Sequence, residues 1–261
     1  MKDWARYLTP LFVFVAAIAT WQWRVYALGI SPLVLASPSD IWGAFFAHWD
    51  VLGPALLFTV RITAIAFVLA TAAGIGLAVL FSLSRPIEYA LYPFAVVLQV
   101  TPVVAIAPLL IIWLGYDNLT EVLVVLAWII AFFTVLSNTL TGLRSADHNL
   151  LDLMKLYGAS RWQVLWRLEL PGALPFILTG MKISGGLALI GAVTAEFVAG
   201  SGTDLGLGWT ITLASRNLDT AQEFAALALL SILGVSILFA MTALEWALLH
   251  RWHESAVKRE R

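Results

Sequence analysis

The chain contains no cysteine and few charged residues. Of its 261 residues, 15 are Lys or Arg and 16 are Asp or Glu, so that 12% are charged, against about 25% in an ordinary soluble domain. A chain without cysteine has no disulfide framework, no thiolate metal site and no cysteine nucleophile. The formal net charge of −1 provides no basic field for a nucleic-acid backbone, so nucleic acid is not expected as a partner.

Apolar residues make up 61% of the chain, and its mean hydropathy is +0.90. A helix needs about 20 mostly apolar residues to cross the hydrocarbon core of a bilayer. The sequence therefore predicts an all-helical, polytopic membrane protein with a single domain over residues 1–261. Six spans are expected, near residues 8–28, 57–83, 89–114, 119–143, 176–199 and 224–249.

The first apolar run resembles a signal peptide, because Lys2 and Arg6 precede it and a small-residue site follows at 17–19. The apolar character nevertheless continues through Trp23 to Tyr26. A retained first helix is therefore predicted, with aromatic residues at the membrane interface.

With six spans the two termini lie on the same side of the membrane. Most Lys and Arg residues fall on that side, whereas Arg24, Arg61 and Arg216 fall on the other and are expected to anchor outer helix ends. Both termini are therefore predicted to be cytoplasmic. Residues 144–175 then form the long cytoplasmic loop, and 29–56 and 200–223 lie outside. A short surface helix is expected within 37–49, with Ser39 or Asp40 as its N-cap.

Two spans carry residues that bear on helix packing. The fifth has small residues at four-residue steps, Gly180, Ser184, Ala188 and Ala192, which lets neighbouring backbones approach closely. The third contains Pro93, Pro102 and Pro108, each of which removes a backbone donor. A broken helix along a transport path and a tolerated kink both agree with these prolines.

The cytoplasmic loop is predicted to contain a first short amphipathic helix. Leu150, Leu153, Met154 and Tyr157 recur at helical spacing on one face. Gly158 follows where a left-handed C-cap would end this helix.

A second short helix is predicted directly afterwards. Ser160 and Gln163 have the spacing of a capping box, and Pro171 and Pro175 are expected to end the helix. From the residues alone, this hairpin either lies on the membrane surface or docks a partner protein.

The order Asp152, Gly158, Leu168, Leu170, Pro171 resembles the EAA loop of the integral-membrane permeases of ABC importers. In that family the loop forms a coupling helix that sits in a groove of the ATPase subunit. The resemblance implies that the ATPase-coupling residues are Asp152, Leu153, Met154, Tyr157, Gly158, Ala159, Leu168, Leu170 and Pro171. Leu153 and Met154 stand where the family usually has two alanines.

The resemblance covers roughly residues 35–252 and extends to the nitrate/sulfonate/taurine branch of these permeases. Further matching motifs, in chain order, are Thr101-Pro102, Ala107-Pro108-Leu109, Asn138-Thr139, Gly142-Leu143-Arg144, Ile177-Leu178-Thr179-Gly180, Ala195-Glu196, Gly206-Leu207-Gly208 and Arg251-Trp252. The shared order of these motifs along the six predicted spans supports the resemblance more strongly than any single motif does.

The sequence has no GxxxxGK[ST] stretch to hold nucleotide phosphates. The resemblance therefore implies a type I permease subunit of a bacterial inner-membrane ABC importer, which binds no cofactor or metal and is not itself an enzyme. ATP and Mg are expected in P-loop ATPase subunits. A second permease copy, most simply in a homodimer, and an extracytoplasmic solute-binding protein complete the expected assembly. A small sulfonate, nitrate or a vitamin-type compound is the expected solute.

Polar residues and helix breaks within spans are the candidates for the translocation path. They are Thr101, Pro102, Asn138, Lys182, Gly185, Leu189 and Glu196. Glu196 either serves the path or a dimer interface, or is solvated near the outer membrane surface. Lys182 is expected to extend towards the cytoplasmic interface, and Glu121 and Glu245 are interpreted as anchors.

Two other classes of protein lack their expected features in this sequence. An ion-coupled secondary transporter needs carboxylates near mid-membrane and usually an internal repeat, and only Glu196 is such a carboxylate. A membrane-embedded enzyme needs a nucleophile or metal constellation, whereas His250 and His253 have no third ligand nearby in the sequence.

Overall fold

The computed structural model describes residues 3–199 and 206–250, and every regular element in these two ranges is helical. The predicted all-helical class is confirmed. The helices are α1 (Asp3–Ala27), α2 (Pro38–Ala47), α3 (Trp49–Leu83), α4 (Arg85–Val100), α5 (Val103–Leu114), α6 (Leu119–Arg144), α7 (His148–Leu156), α8 (Arg161–Val164), α9 (Leu170–Ala199), α10 (Leu207–Arg216) and α11 (Thr220–Leu249). His253, Arg251-Trp252 and the first part of the predicted outer segment 200–223 lie outside the described residues.

Within the described ranges, five helices are long and apolar enough to cross a membrane. They are Leu8–Ala27, Trp49–Leu83, Leu119–Arg144, Arg161–Ala199 and Thr220–Leu249. The pair α4 and α5 adds a sixth crossing if the two helices are taken as one broken span.

The third predicted span, 89–114, is not one continuous helix. α4 and α5 meet at an angle of 104°, and the break falls at Thr101 and Pro102, whose backbones are extended. Pro102 has no N–H to continue the ladder of α4, and a residue that precedes proline is disfavoured in the α region. Pro93 and Pro108 lie inside α4 and α5 and do not interrupt them.

The short helix expected within 37–49 is present as α2, but its N-cap is Ser37, so the prediction of Ser39 or Asp40 was wrong. The Ser37 hydroxyl accepts a hydrogen bond from the Asp40 amide, and the Asp40 carboxylate accepts one from the Ser37 amide. Pro38 occupies the first helical position, where its fixed φ and missing N–H are tolerated best. The preference of Pro38 for the first helical position thus makes Ser37 the N-cap.

The helices form two compact units, of which the first comprises Met1–Phe58 and Ser201–Ser231. In this unit Gln22 of α1 holds the start of α2 by two hydrogen bonds to Ser39, of 3.0 and 3.1 Å. The rings of Trp21 and Phe224 lie 5.7 Å apart. The hydroxyl of Thr220 donates to the Leu33 carbonyl at 2.9 Å, which ties the start of α11 to the loop after α1.

The second unit comprises Thr59–Gly200 and Ile232–Arg261, and α6 and α9 pack closely in it. A Cβ atom added at Gly142 of α6 would lie 2.7 Å from the Cβ of Phe176. A Cβ added at Gly191 of α9 would lie 2.8 Å from the Cα of Ala127. Both distances are shorter than real side chains allow, so these two glycines set the helix separation, as small residues do in membrane bundles.

The predicted stripe of small residues on the fifth span faces this contact. Ser184, Ala188 and Ala192 are completely buried, and the Ser184 hydroxyl donates to the Ala131 carbonyl of α6 at 3.1 Å. An interhelical hydrogen bond therefore accompanies the close backbone approach.

We predict that Gly191→Ala destabilises the chain by about 1–3 kcal/mol, because the new methyl group must push α6 away from α9. Gly186→Ala on the same helix is the matched control, since nothing lies within 4 Å of a Cβ added there, and helix propensity favours alanine by up to about 1 kcal/mol. Unfolding in detergent, followed by tryptophan fluorescence, measures both variants. Equal stability of the two variants would contradict the packing argument.

Candidate functional site

Residues 148–169 form the hairpin that the sequence resemblance predicts to couple to an ATPase. This hairpin, called the coupling hairpin below, begins with α7. The Asp147 carboxylate caps this helix by accepting the Asn149 amide at 2.8 Å. Leu153 is 47% exposed, Leu156 85% and Tyr157 82%, whereas Met154 is half-buried. α7 therefore presents an apolar surface that the rest of the described chain does not cover. Leu156 belongs to this surface, although the helical spacing of Leu150, Leu153, Met154 and Tyr157 did not predict it.

Gly158 ends α7 as predicted. Its φ is +68°, its amide donates to the Lys155 carbonyl at 2.9 Å, and the Ala159 amide donates to the Met154 carbonyl at 3.0 Å. These two bonds form a Schellman motif, for which glycine is the residue with the lowest backbone cost. The motif fixes the direction in which the chain leaves α7.

The second helix of the hairpin begins as predicted but ends much later. Ser160 and Gln163 form the expected capping box. Pro171 and Pro175 do not end the helix, because α8 continues through one π-helical turn, Leu165–Glu169, into α9.

The prediction that Pro171 stops the hairpin helix was therefore wrong, and the helix that contains the predicted fifth span begins at Arg161 rather than at 176. In the π turn the Leu170 amide donates to the Leu165 carbonyl, five residues earlier. A π turn locally alters the α-helical ladder, which accommodates a proline that lacks the donor for an ordinary i to i−4 bond. Leu168, Leu170 and Pro171 consequently lie within one long helix, each half-buried.

Asp152 lies on the exposed surface of α7, where its carboxylate accepts a hydrogen bond from the Lys155 ammonium at 2.8 Å. This hydrogen bond, followed by the charge of Lys155, lowers the pKa of Asp152 below its ordinary value. The carboxylate is 69% exposed, so it stays ionised and within reach of a cation on a partner.

A buried acidic residue joins the hairpin to the end of α3. Glu169 is 6% exposed, accepts a hydrogen bond from the Ser82 hydroxyl at 3.0 Å and lies 3.6 Å from the Arg161 guanidinium. Arg161 also donates to the Ser82 carbonyl at 2.7 Å. Sequence reasoning missed this network; the only signal for it was an acidic residue shortly before Pro171, in a stretch that also contains Arg161 and Arg167.

The candidate path residues of α9 face different neighbours. The Lys182 ammonium lies 3.2 Å from the Glu245 carboxylate of α11, so Glu245 has a specific ionic partner. Gly185 lines a cavity of about 170 Å³ that is bounded by α3 and α11. Leu189 is 7% exposed, and its Cδ2 atom lies 3.4 Å from the place of a Cβ added at Gly234 of α11.

Glu196 is the most deeply buried acidic residue among those described, at 1% exposure. Its carboxylate accepts a hydrogen bond from the Thr59 hydroxyl of α3 at 2.8 Å. Interfacial solvation, which was one of the two expectations for this residue, is therefore excluded for Glu196 in this structure. A buried acid that is held by a hydrogen bond across two helices is costly to maintain without a role in packing or transport.

The remaining path candidates lie elsewhere in the second unit. Thr101 and Pro102 form the break between α4 and α5, where the Thr101 hydroxyl donates to the Val97 carbonyl at 2.6 Å. The Asn138 amide donates to the Thr134 carbonyl in its own helix, and its Cβ lies against Gly180, 2.9 Å from the place of an added Cβ. Thr101, Pro102 and Asn138 therefore share no described contact with Lys182 or Glu196.

No group of three or more His, Asp or Glu side chains that could hold a metal ion occurs among the described residues. His250 stacks on Trp246 at a ring distance of 4.5 Å, and His253 lies outside the described ranges.

Residues 70–251 match the family model described as the binding-protein-dependent transport system inner membrane component. The chain therefore belongs to this family, the permease subunits of ABC importers, in which ATP hydrolysis is the task of a separate subunit. As a multi-pass member of this family it belongs to the inner membrane of bacteria and works with ATPase and binding-protein partners.

Relatives agree over nearly the whole chain. The probable ABC transporter permease of Haemophilus influenzae is 33% identical over 95% of this chain and 97% of its own length. The formylaminopyrimidine transport permease of Halalkalibacterium halodurans is 32% identical (95% and 98%). The riboflavin transport permease of Chloroflexus aurantiacus is 36% identical (90% and 86%).

Solved structures agree on the fold. An inward-facing conformation of the MetNI methionine ABC transporter superposes with a TM-score of 0.68 at 16% identity, covering 77% of this chain and 97% of the matched chain. An amino acid ABC transporter gives a TM-score of 0.65 at 14% identity.

We predict opposite effects for two threonines one turn apart on α3. Thr59→Val removes the donor to the buried Glu196 carboxylate and costs about 1–3 kcal/mol of stability. Thr63→Val is neutral or stabilising, because the Thr63 hydroxyl is buried without a hydrogen-bond partner. Thermal unfolding of both variants in the same detergent measures the difference, and an equal or larger loss for Thr63→Val would show that Glu196 does not depend on Thr59.

Proposed function

We propose that the coupling hairpin is the site at which this permease receives work from an ATPase subunit. The observation that carries the proposal is the exposed apolar surface of α7, with Leu153, Leu156 and Tyr157, on a hairpin whose base is tied into the bundle by Arg161 and Glu169. The exposure of this surface leaves it able to contact a partner, and the network of Arg161, Glu169 and Ser82 ties the hairpin to the end of α3.

The hairpin is proposed to lie in the cytoplasm together with both termini, which agrees with the distribution of Lys and Arg. Asp152 is the proposed ionic contact of the hairpin, since its exposed carboxylate is ionised and close to the apolar surface. Leu153 and Met154 replace the two alanines usual in the family. The groove of the partner ATPase must therefore accommodate side chains larger than alanine at these two positions.

The assembly is proposed to contain two copies of this chain, two P-loop ATPase subunits that bind ATP and Mg, and an extracytoplasmic solute-binding protein. Closure of the ATPase dimer on ATP draws the two hairpins together and favours an outward-open permease, and hydrolysis releases them. A ligand shifts such an equilibrium only by binding one state more tightly than the other. ATP therefore has to bind the closed dimer preferentially, and the hairpins carry that preference to the membrane helices.

The solute is proposed to be a small sulfonate, nitrate or a vitamin-type compound. Support comes from relatives that are named as permeases for formylaminopyrimidine, riboflavin, aliphatic sulfonates and taurine. Lys182, Gly185, Leu189 and Glu196 on α9 are the proposed residues of the path, together with Asn138 and the break at Thr101 and Pro102.

Replacing Gly158 with valine is expected to weaken binding of the ATPase by about tenfold and to abolish ATP-driven uptake. A β-branched residue at positive φ costs about 1–2 kcal/mol or more, and nothing crowds the site of the added Cβ, so the effect acts through the backbone. Gly158→Asn is the matched control, because asparagine tolerates the left-handed region.

Both variants are compared with the unmodified chain by co-purification with the ATPase and by uptake into proteoliposomes. Normal uptake with Gly158→Val would contradict the assignment of the hairpin as the coupling site. Equal loss in the valine and asparagine variants would show that glycine is needed for a reason other than its φ.

Uptake into proteoliposomes that contain the permease, its ATPase and its binding protein tests the solute proposal. Taurine, an alkanesulfonate, nitrate, riboflavin and formylaminopyrimidine are supplied in turn. We expect uptake of one of these classes to require internal ATP and to persist after ionophores collapse the ion gradients. Uptake that needs a gradient and not ATP would instead support a secondary transporter.

A further inference from the structure

A second polar site lies beside the coupling hairpin, in a cavity of about 610 Å³. The cavity is bounded by the end of α3, the first turn of α4, the end of α6 and the start of both hairpin helices. Its charged lining consists of Arg85, Arg144, Arg161, Glu88 and Glu169, and His148 also borders it. The proposed coupling mechanism uses Arg161 and Glu169 as the base of the hairpin, but it assigns no ligand to this cavity.

Both carboxylates of the lining already have cationic partners. Glu88 accepts a hydrogen bond from Arg144 at 2.5 Å, and Glu169 pairs with Arg161 and Ser82. Three arginines against two glutamates leave the wall with an excess of one positive charge. Although Arg144 and Arg161 are paired, their side chains are still 53% and 59% exposed, so their guanidinium groups can also contact a ligand.

Arg85 supplies the uncompensated charge. Across residues 3–199 and 206–250, its guanidinium forms no ion pair and no hydrogen bond. It occupies the first turn of α4, whose N-cap, Ser84, makes no side-chain capping bond. The positive end of the helix dipole therefore adds to the charge of Arg85 on this side of the cavity.

From this arrangement we infer that the cavity binds a phosphate group. Guanidinium groups present forked pairs of N–H donors that match the oxygens of a phosphate, and Arg85, Arg144 and Arg161 border a single cavity that is far larger than a halide ion. The wall also includes the ends of two candidate membrane spans, at Leu83 of α3 and Arg144 of α6. At that level the phosphate of an anionic phospholipid and a free phosphate both have access.

A bound phosphate would hold the first turn of α4 and the second hairpin helix together through Arg85 and Arg161. The site goes beyond the proposed function, because it needs neither an ATPase nor a transported solute. It can accordingly be tested on the purified chain alone, so its failure leaves the coupling proposal unaffected.

The full chain is purified in a non-ionic detergent and mixed with phosphatidylglycerol or phosphatidylcholine, and retained lipid is counted by native mass spectrometry. Titration calorimetry with inorganic phosphate measures the free anion in parallel. Arg85→Gln is expected to lower binding by about tenfold, as the loss of one charged hydrogen bond does. Arg61→Gln, on α3 but outside this cavity, is the matched control and is expected to bind as the unmodified chain does.

A third variant tests the sign of the charge argument. Glu88→Gln keeps the shape of the side chain and removes a negative charge that Arg144 now neutralises, so it is expected to strengthen phosphate binding. A role of these residues in folding alone would not predict opposite effects for Arg85→Gln and Glu88→Gln. Unfolding temperatures of all variants are recorded. If Arg85→Gln does not fold, Arg85→Lys, which retains the charge, replaces it. Arg85→Lys is expected to lower phosphate binding measurably, but by less than tenfold, because lysine lacks the forked donors of arginine.

Retention of phosphatidylglycerol above phosphatidylcholine, with the predicted dependence on Arg85 and Glu88, supports the site with a lipid headgroup as its ligand. Binding of inorganic phosphate with the same dependence, and no preference between the lipids, supports the site with a free phosphate as its ligand. Equal binding by the Arg85 variant and Arg61→Gln, weaker binding by Glu88→Gln, or no binding of either probe overturns the inference.

Discussion

The distance between α6 and α9 is the constraint on which the second unit depends. Gly142 and Gly191 permit a backbone approach that any larger residue would prevent, and the Ser184 hydroxyl adds a hydrogen bond across the contact. In a bilayer, where lipid tails are as apolar as leucine, such close packing replaces the hydrophobic effect as the source of helix association. This pair also bears on the position of the hairpin, since α9 continues directly from the second hairpin helix.

Much of the fold followed from the sequence because its signals are local. Long apolar runs predict membrane helices from bilayer thickness alone, and Gly158, Ser160 and Gln163 fix their own turn and cap within a few residues. Where local signals were in conflict, the sequence was a poorer guide. Pro102 breaks its helix whereas Pro171 does not, because a π turn precedes Pro171, and the sequence shows a proline in both cases.

The candidate site was predictable only in part, for a related reason. The proposed coupling residues all lie within residues 152–171 and match a family motif, so Asp152 and Gly158 could be named in advance. The pairs Thr59–Glu196 and Lys182–Glu245 join residues far apart in the chain, and no spacing rule connects them. The anchoring of Glu169 by Arg161 and Ser82 likewise depends on where α3 ends relative to the hairpin, which is a property of the assembled bundle.

The π turn at Leu165–Glu169 has a mechanical consequence. Because it carries the chain past Pro171 without a break, Arg161–Ala199 is a single rod of 39 residues, which is about 58 Å long at about 1.5 Å per residue. On a rod of that length, a tilt of about 5° at one end swings the other by about 5 Å. If the hairpin couples as proposed, a small tilt there would displace the other end of this helix, near Glu196, by the size of a side chain.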